Sequence, residues 1–572
     1  MKVSDYITHF FINKGIDTVF VMTGGAIAHI IDSVGEQKDK IKYICVQNEQ
    51  VAAMAAEAYS RSGEANGVAM VTSGPGATNL ITGIVGAWYD CIPAIYISGQ
   101  VRTWELTGTK STLQDGFQEV DICSQIKNVT KYTKTIMNKS DVPLELEKAY
   151  QMANSGRKGP VLLDFPMDIQ WDILSKEEIN RGELYKVDTE PNKIEEHKVS
   201  EAVSLFKNSK KPLILIGGGV KHARIKKYFN EFILNSNIPC VSTYAAYEIL
   251  EYSNEKNIGV LGQFGQYCAN EAIEDCDLLL ALGTRFTIRA SGNDTGLFAS
   301  NAKVIHVNID KGELKDSRKS ADLSIHSDIE IFLRAVDGKI KCNDKEWLNY
   351  LMESKKMDLE INDKGTGINV NPYLLVEKLN EKMRNDSIII PDVGFQVTTL
   401  NQQIKFKSNQ QMFSSWANSP MGYAVAAGIG AYYANKEKDI IIHIGDGGFQ
   451  VNLQDLQTLK NYNIPLKIIL WNNSGYATIQ AFQEGNLDSR YHATDYKNGY
   501  SNPNFKELAK LYGLKYFLAE QDNEVDNVIS DVLEHQGPIL CEIKMDINFR
   551  PKPSLGANSK FNQLEPNLNV QV

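Results

Sequence analysis

Long apolar runs are missing from this chain of 572 residues. No stretch reaches the roughly 20 apolar residues that cross a bilayer, so a membrane-embedded protein is not expected. The opening residues Met1-Lys2-Val3-Ser4-Asp5 lack the basic start and apolar core of a secretory signal, and a cytoplasmic location is expected. Cys-x-x-Cys pairs are also missing. The eight cysteines are scattered from Cys45 to Cys541. That pattern supports neither a zinc site nor a redox motif, and reduced thiols are the expectation. Basic runs are absent too. With a net charge of −10, neither nucleic acid nor an anionic membrane is an expected partner. No short-period repeat or low-complexity segment occurs.

What remains is an ordinary globular composition, 43% hydrophobic and 23% charged. A chain of this length predicts about three domains. Short apolar runs alternate with helix-length segments, which argues for parallel-sheet α/β units. Ser4-Asp5 is expected to cap a helix that ends near Gly15. Strands are expected at Thr18 to Met22, Lys42 to Val46, Val68 to Val71 and Ala94 to Ser98, with a helix from Glu49 to Tyr59. Further strands are expected at Pro212 to Ile216, Asp277 to Leu282 and Val304 to Val307, then at Ser387 to Pro391, Ile440 to Ile444, Leu466 to Trp471 and Ile539 to Ile543. Charge-rich stretches at 175–198 and 343–369 divide the chain. The expected units are residues 1–175, 190–345 and 370–550, with a Pro- and Asn-rich tail over 551–572 that either closes over a site or is mobile. The first and third units read as similar in size and pattern.

The apolar run at Ile440 to Ile444 leads into Gly445-Asp446-Gly447-Gly448. Glycines let a backbone approach phosphate closely, and the next helix offers N–H groups and a positive dipole end. The run at Leu466 to Trp471 reads as the neighbouring strand and ends at Asn472-Asn473. A carboxylate and an amide thus close two strands at their carboxyl ends, where open α/β sheets bind ligands. That pair suits Mg²⁺ when phosphate oxygens complete its octahedron. Gly-Asp-Gly by itself is equally a plain turn.

Gly-Asp-Gly followed by Asn-Asn resembles the thiamine-diphosphate motif. The resemblance implies Asp446, Asn473 and the carbonyl of Gly475 as Mg²⁺ ligands, with Gly445, Gly447 and Gly448 beside the diphosphate. It extends through Val71-Thr72-Ser73-Gly74-Pro75-Gly76-Ala77-Thr78-Asn79, Ser98-Gly99-Gln100-Val101, Gly116-Phe117-Gln118-Glu119 and Ser155-Gly156-Arg157-Lys158-Gly159-Pro160-Val161. In order and over nearly the whole chain, this is similar to the acetohydroxyacid synthase (acetolactate synthase) family. The implied fold is three parallel-sheet α/β domains, which bind the pyrimidine, a middle-domain flavin and the diphosphate. Glu49 is implied as the group that activates the cofactor through its pyrimidine. Its helix of small apolar residues suits a donating carboxyl, although a first-turn glutamate also simply favours the helix dipole. Gly25 and Gln118 resemble residues near the reacting carbonyl. Gly394, Phe395 and Gln396 resemble the loop at the diphosphate end, and Met421 the residue that bends the cofactor. Arg157, Gly217, Gly218, Gly219, Gly262, Gly283 and Arg285 match the family's site for FAD, whose role there is structural. Sites shared between subunits imply a homodimer or homotetramer; the sequence says nothing of a regulatory subunit.

The chain also departs from the family's pattern. Asn48 stands where a histidine is usual, and Arg285-Phe286-Thr287-Ile288-Arg289 replaces Arg-Phe-Asp-Asp-Arg. Arg289 is kept, and the resemblance gives it the carboxylate of a second keto acid, as bidentate guanidinium chemistry allows. Phe482 replaces the acceptor-pocket tryptophan, which should weaken any preference for 2-ketobutyrate over pyruvate. The leading expectation is therefore a carboligase that decarboxylates pyruvate and passes the two-carbon unit to a second 2-keto acid, giving acetolactate. Other phrases, among them Ala87-Trp88-Tyr89-Asp90 and Asn473-Ser474-Gly475-Tyr476, resemble relatives from surface-polysaccharide pathways. In those the acceptor is a nucleotide-linked keto-sugar. A non-catalytic assembly subunit is the alternative from a different class.

Overall fold

In the computed structural model the described residues are 1–108, 110–187, 194–358, 367–556 and 559–566. The expected boundary stretches at 175–198 and 343–369 and the end of the tail lie partly outside them. The continuous apolar runs form strands buried on both faces, as parallel sheets covered by helices require. The first sheet holds β1 (Thr18–Met22), β2 (Lys42–Cys45), β3 (Val68–Val71), β4 (Ile95–Gln100), β5 (Tyr132–Thr135) and β6 (Val161–Pro166). The second holds β7 (Pro212–Ile216), β8 (Cys240–Ser242), β9 (Asn257–Val260), β10 (Leu278–Leu282), β11 (Lys303–Asn308) and β12 (Leu323–His326). The third holds β13 (Ile388–Pro391), β14 (Gln411–Met412), β15 (Ile440–Gly445), β16 (Lys467–Asn472), β17 (Lys515–Ala519) and β18 (Ile539–Lys544).

Every pairing within these sheets is parallel. The first sheet runs β2-β1-β3-β4-β6-β5, and the third repeats that order as β14-β13-β15-β16-β18-β17. The likeness of the first and third units is therefore one of topology as well as size. The middle sheet runs β12-β11-β10-β7-β8-β9, a doubly wound order that reverses between β7 and β10. Corresponding reversals lie between β1 and β3 and between β13 and β15. At such points the loops leave in opposite directions and open a crevice at the strand ends.

Four helices border the crevices of the first and third domains: α1 (Glu49–Ser62), α2 (Phe395–Gln403), α3 (Tyr423–Ala434) and α4 (Ala477–Asn486). The first and third sheets share one apolar core, which α1 and α3 fill with alanines. The two helices approach so closely that a Cβ on Gly430 would lie 2.0 Å from the Ala55 carbonyl oxygen. The middle domain has a separate core. The first helix runs Val3–Asn13 after Lys2 as its N-cap residue, so Ser4 and Asp5 lie in its first turn instead of capping it. The described part of the tail crosses to the middle domain, where Leu555, Phe561 and Leu564 join that core. Its short strands β19 (Ser554–Leu555) and β20 (Leu564–Glu565) pair with each other.

One buried acid in the first sheet makes stability pH-dependent. Asp164 on β6 accepts hydrogen bonds from Ser98 Oγ at 2.7 Å, Gln100 Nε2 at 3.0 Å and Thr135 Oγ1 at 3.1 Å. Burial pushes its carboxyl up to about 7 in spite of these donors. A carboxyl raised in this way contributes its full stability below the unfolded value of about 4. That contribution is lost as the pH rises through about 7. Between pH 4 and pH 8, wild type should lose on the order of 4 kcal/mol relative to Asp164→Asn. Urea unfolding of both proteins at the two pH values measures the change, and a constant difference would contradict it.

Candidate functional site

The turns at Gly24-Gly25, 73–76, 217–219, Gly283, Gly394 and 445–448 stand at the three sheet reversals, whereas Gly262 follows the edge strand β9 and the turn 155–159 precedes β6. In the first domain, β1 leads to Gly24-Gly25 and β3 leads to Ser73-Gly74-Pro75-Gly76. Thr72 joins the two turns, because its Oγ1 accepts from the Ala26 N–H at 3.3 Å. Glu49 opens α1, and the Asn48 side chain caps that helix by accepting from the Gln50 N–H at 2.8 Å. The Glu49 carboxyl is buried. Its Oε2 accepts from Asn79 Nδ2 at 2.9 Å, and its Oε1 faces Gly76. Gln118 adopts a left-handed conformation, φ 65°, and lies against Gly74. A Cβ on Gly74 would come within 2.8 Å of the Gln118 carbonyl oxygen. The structure therefore gathers Glu49, Gly25 and Gln118 around one turn, residues 72–79.

In the third domain, β13 leads to Gly394 and α2, and β15 leads to Gly445-Asp446-Gly447-Gly448. Gln396 on α2 donates to the Val393 carbonyl at 2.7 Å and faces Gly445. Phe395 packs edge-on to Phe549, with ring centroids 6.5 Å apart. Gly448 faces Asp392, whose Oδ2 accepts the Gly422 N–H at 2.8 Å and so holds the turn after Met421. Burial pushes the Asp392 carboxyl up to about 7, against the backbone N–H groups it accepts. Met421 is exposed, unlike a core methionine.

Asp446 is buried at the end of β15, beside the end of β16. Burial pushes its carboxyl up, while hydrogen bonds from Asn502 and Tyr500 oppose that push. Among the described residues no lysine, arginine or histidine lies within 4.0 Å of it, the ion-pairing distance. A buried carboxylate without a protein cation is a fitting ligand for a metal ion. Asn473 and Gly475 lie just past the end of β16, with the Asn473 Oδ1 accepting the Gly475 N–H at 3.2 Å. Among the described residues no three His, Cys, Asp or Glu side chains converge, so a cation here needs amide, carbonyl and ligand oxygens. Gly447 is a close-approach position: a Cβ there would lie 2.2 Å from the Tyr476 ring.

A cavity of about 1220 Å³ opens at the junction of all three domains. Its lining includes Arg157, Gly218, Gly219, Gly283, Arg285 and Arg289. Arg157 pairs with Asp310 at 3.0 Å and lies over Trp88. Arg285 donates to the Tyr89 carbonyl at 2.6 Å. Gly217 and Gly262 do not line the cavity. A Cβ on Gly217 would lie 2.3 Å from the Gly283 carbonyl oxygen, and one on Gly262 2.3 Å from that of Arg289. Both are packing glycines that hold the lining turns. The lining includes none of Glu49, Asp446 and Phe482. Phe482 projects from α4 with 59% of its surface exposed.

Sequence reading missed four neighbours of these groups: Asp392, Tyr476, Tyr500 and Asn502. Asp392 has a signal, since it follows the expected strand Ser387 to Pro391 just as Asp446 follows its own. The other three sit in irregular segments, without a periodic pattern.

Family models match the chain in three blocks. The thiamine pyrophosphate enzyme N-terminal TPP binding domain matches residues 1–125, the central domain residues 199–336 and the C-terminal TPP binding domain residues 392–543. Among curated relatives, the acetolactate synthase large subunit of Lactococcus lactis subsp. lactis (strain IL1403) is 32% identical over 546 residues, 95% of this chain and 92% of that protein. The acetolactate synthase isozyme 2 large subunit of Escherichia coli (strain K12) is 30% identical, over 96% of each chain. The acetolactate synthase large subunit of Porphyra purpurea is 31% identical, over 96% of this chain and 93% of that one. Among the described residues no helix is long and apolar enough to cross a membrane.

Proposed function

Since the chain belongs to the thiamine pyrophosphate enzymes of the acetolactate synthase type, with their decarboxylation and carboligation chemistry, we propose that it joins the two-carbon unit of pyruvate to a second 2-keto acid, giving acetolactate. When bound, thiamine diphosphate supplies the electron sink that takes up that unit. The observation that carries the reading is the buried Asp446 carboxylate, which has no protein cation beside it among the described residues and stands at the strand end next to Asn473. Asp446, Asn473 and the Gly475 carbonyl would hold Mg²⁺ there. Gly445, Gly447, Gly448 and the Gly394-Phe395-Gln396 turn would face the diphosphate. Glu49, oriented by Asn79, would hold a proton at its carboxyl oxygen for the pyrimidine ring, and Met421 would set the cofactor's bend. Gly25, on the turn joined to Thr72, and Gln118, against Gly74, would border the reacting carbonyl.

FAD fits the three-domain cavity. Gly218, Gly219 and Gly283 line it, with Gly219 and Gly283 packed on each other, and among the described residues no carboxylate lies within 4.0 Å of Arg285. The Arg285 guanidinium can meet a diphosphate. A homodimer or homotetramer would cover the exposed Phe117 and Leu113 near one set of site residues and Met421 and Phe482 near the other. The domain limits proposed are 1–175, 190–345 and 370–550, and the location proposed is the cytoplasm.

The test incubates the protein with pyruvate, Mg²⁺ and thiamine diphosphate. Acetolactate should form with no other acceptor present. CO₂ release that waits for a nucleotide-linked keto-sugar would overturn the keto-acid reading. Arg289 is the proposed anchor for the acceptor carboxylate. Losing a charge-assisted hydrogen bond costs about 1.5–3 kcal/mol, so Arg289→Gln should lower acetolactate formation roughly 10- to 100-fold. CO₂ release should continue, with acetaldehyde replacing acetolactate. Product analysis checks this, and unchanged product proportions would remove Arg289 from the acceptor site.

A further inference from the structure

The segment 495–502 belongs to none of the sequence motifs, yet it reaches the centre of the third domain's crevice. We propose that Tyr500 and Asn502 are positioning residues of the metal site, a neutral clamp that fixes Asp446 through one carboxylate oxygen. The proposal rests on the reading of Asp446 as a metal ligand.

The geometry is specific. Tyr500 OH and Asn502 Nδ2 both donate to Asp446 Oδ2, each at 2.8 Å. The tyrosine hydroxyl also lies 2.7 Å from Asn502 Oδ1, but it carries a single proton. The bond to the carboxylate is charge-assisted and is the stronger use of that proton. Asn502 Nδ2 reaches Asn472 Oδ1 as well, at 3.1 Å. Its Oδ1 accepts from Gln450 Nε2 at 3.1 Å. One asparagine therefore ties together the ends of β15 and β16, the two strands that present Asp446 and Asn473.

The clamp is braced from outside. The Tyr500 ring packs edge-on to Tyr476, with centroids 4.7 Å apart, and Tyr476 in turn covers Gly447. Tyr496 also packs edge-on to Tyr500, with centroids 6.3 Å apart. Both clamp donors are neutral. A lysine or arginine in their place would cancel the charge that a divalent cation needs. A tyrosine and an amide orient the carboxylate and leave its charge uncompensated. Partners of this kind, hydrogen-bonded to a ligating carboxylate, set its direction and its affinity.

The test is a Mg²⁺ titration of the full-length apoprotein saturated with thiamine diphosphate, followed by intrinsic tryptophan fluorescence. Tyr500→Phe keeps the ring contacts and removes one donor; Asn502→Ala removes the other. Each should weaken Mg²⁺ binding about 10- to 100-fold. Metal-free Tyr500→Phe should stay folded, its melting temperature lowered only by the loss of one buried hydrogen bond. Mg²⁺ affinities within twofold of wild type in both variants would overturn the clamp. So would a weakening seen only where the metal-free variant is already partly unfolded, because that marks a purely structural role. Asp446→Asn separates the two levels. If that variant binds Mg²⁺ as wild type does, the ligand reading itself fails; if it loses Mg²⁺ while Tyr500→Phe and Asn502→Ala do not, only the clamp fails.

Discussion

Glu49→Gln is expected to lower CO₂ release from pyruvate by about 10²- to 10⁴-fold, the range for removing a positioned acid–base group. Glutamine keeps the size of the side chain and still accepts from Asn79 Nδ2, which lies 2.9 Å from the glutamate oxygen. It cannot exchange a proton with a ring nitrogen. The fold should barely notice. Glu49 sits in the first turn of α1, where a glutamate's interaction with the helix dipole is worth at most about 0.3–1 kcal/mol. Single-turnover CO₂ release, with the melting temperature as a control, measures both quantities. A variant that keeps more than a tenth of wild-type turnover would rule out Glu49 as the proton-handling group. Asn79→Ala should have a smaller effect in the same direction, because it frees the carboxyl without removing it.

The second large effect concerns folding. Glu57 and Arg61, one turn apart on α1, form a buried ion pair that extends to Asp90. Arg61 Nη2 reaches Asp90 Oδ2 at 2.8 Å, and Tyr423 OH donates to Glu57 Oε2 at 2.5 Å. Asp90 also accepts the Trp416 and Ala417 N–H groups, at 2.7 and 3.1 Å. The network thus spans the first and third domains at the packing of α1 on α3. Removing one member of a buried pair leaves its partner uncompensated, at a cost of about 3–5 kcal/mol. Arg61→Ala, which leaves Glu57 and Asp90 without their cation, should destabilise the protein by that amount in urea unfolding, and Tyr423→Phe by about 1–3 kcal/mol, the cost of one buried hydrogen bond to a charged group. Because the two contacts share Glu57, the double variant should show less than the sum of the single effects. Additive losses would mean that the tyrosine and the ion pair act independently.

The legible parts of the fold were those with a one-dimensional signature. Strands such as Pro212–Ile216 and Ile440–Gly445 are buried on both faces and read as unbroken apolar runs. The edge strands Tyr132–Thr135, Gln411–Met412 and Lys515–Ala519 did not announce themselves. Each lies at a sheet edge and is short or only partly buried, so neither run length nor alternation marks it. The site shows the same division. Asp446, Asn473 and the glycine turns follow from strand ends, because a sheet reversal places those ends together. Tyr500 and Asn502 come from a polar loop whose course depends on Tyr476 and Tyr496, and no local pattern predicts where such a loop returns. The tail was open to two readings, closure or mobility. Its described part instead buries Leu555, Phe561 and Leu564 in the middle domain, a contact between distant segments that composition does not encode.

The alanine-rich contact between α1 and α3 also bears on how the chain is made. Everything from Gly63 to Gly422, including the whole middle domain, is synthesised between the two helices. At about 5–20 residues per second, α1 waits some tens of seconds on the ribosome before its partner emerges. During that interval the small-residue face of α1 that meets α3, including Ala55, has no third domain to cover it. A chain built this way meets its greatest hazard from neighbouring nascent copies. Its yield in cells should therefore depend more on translation rate and chaperone supply than its final stability would suggest.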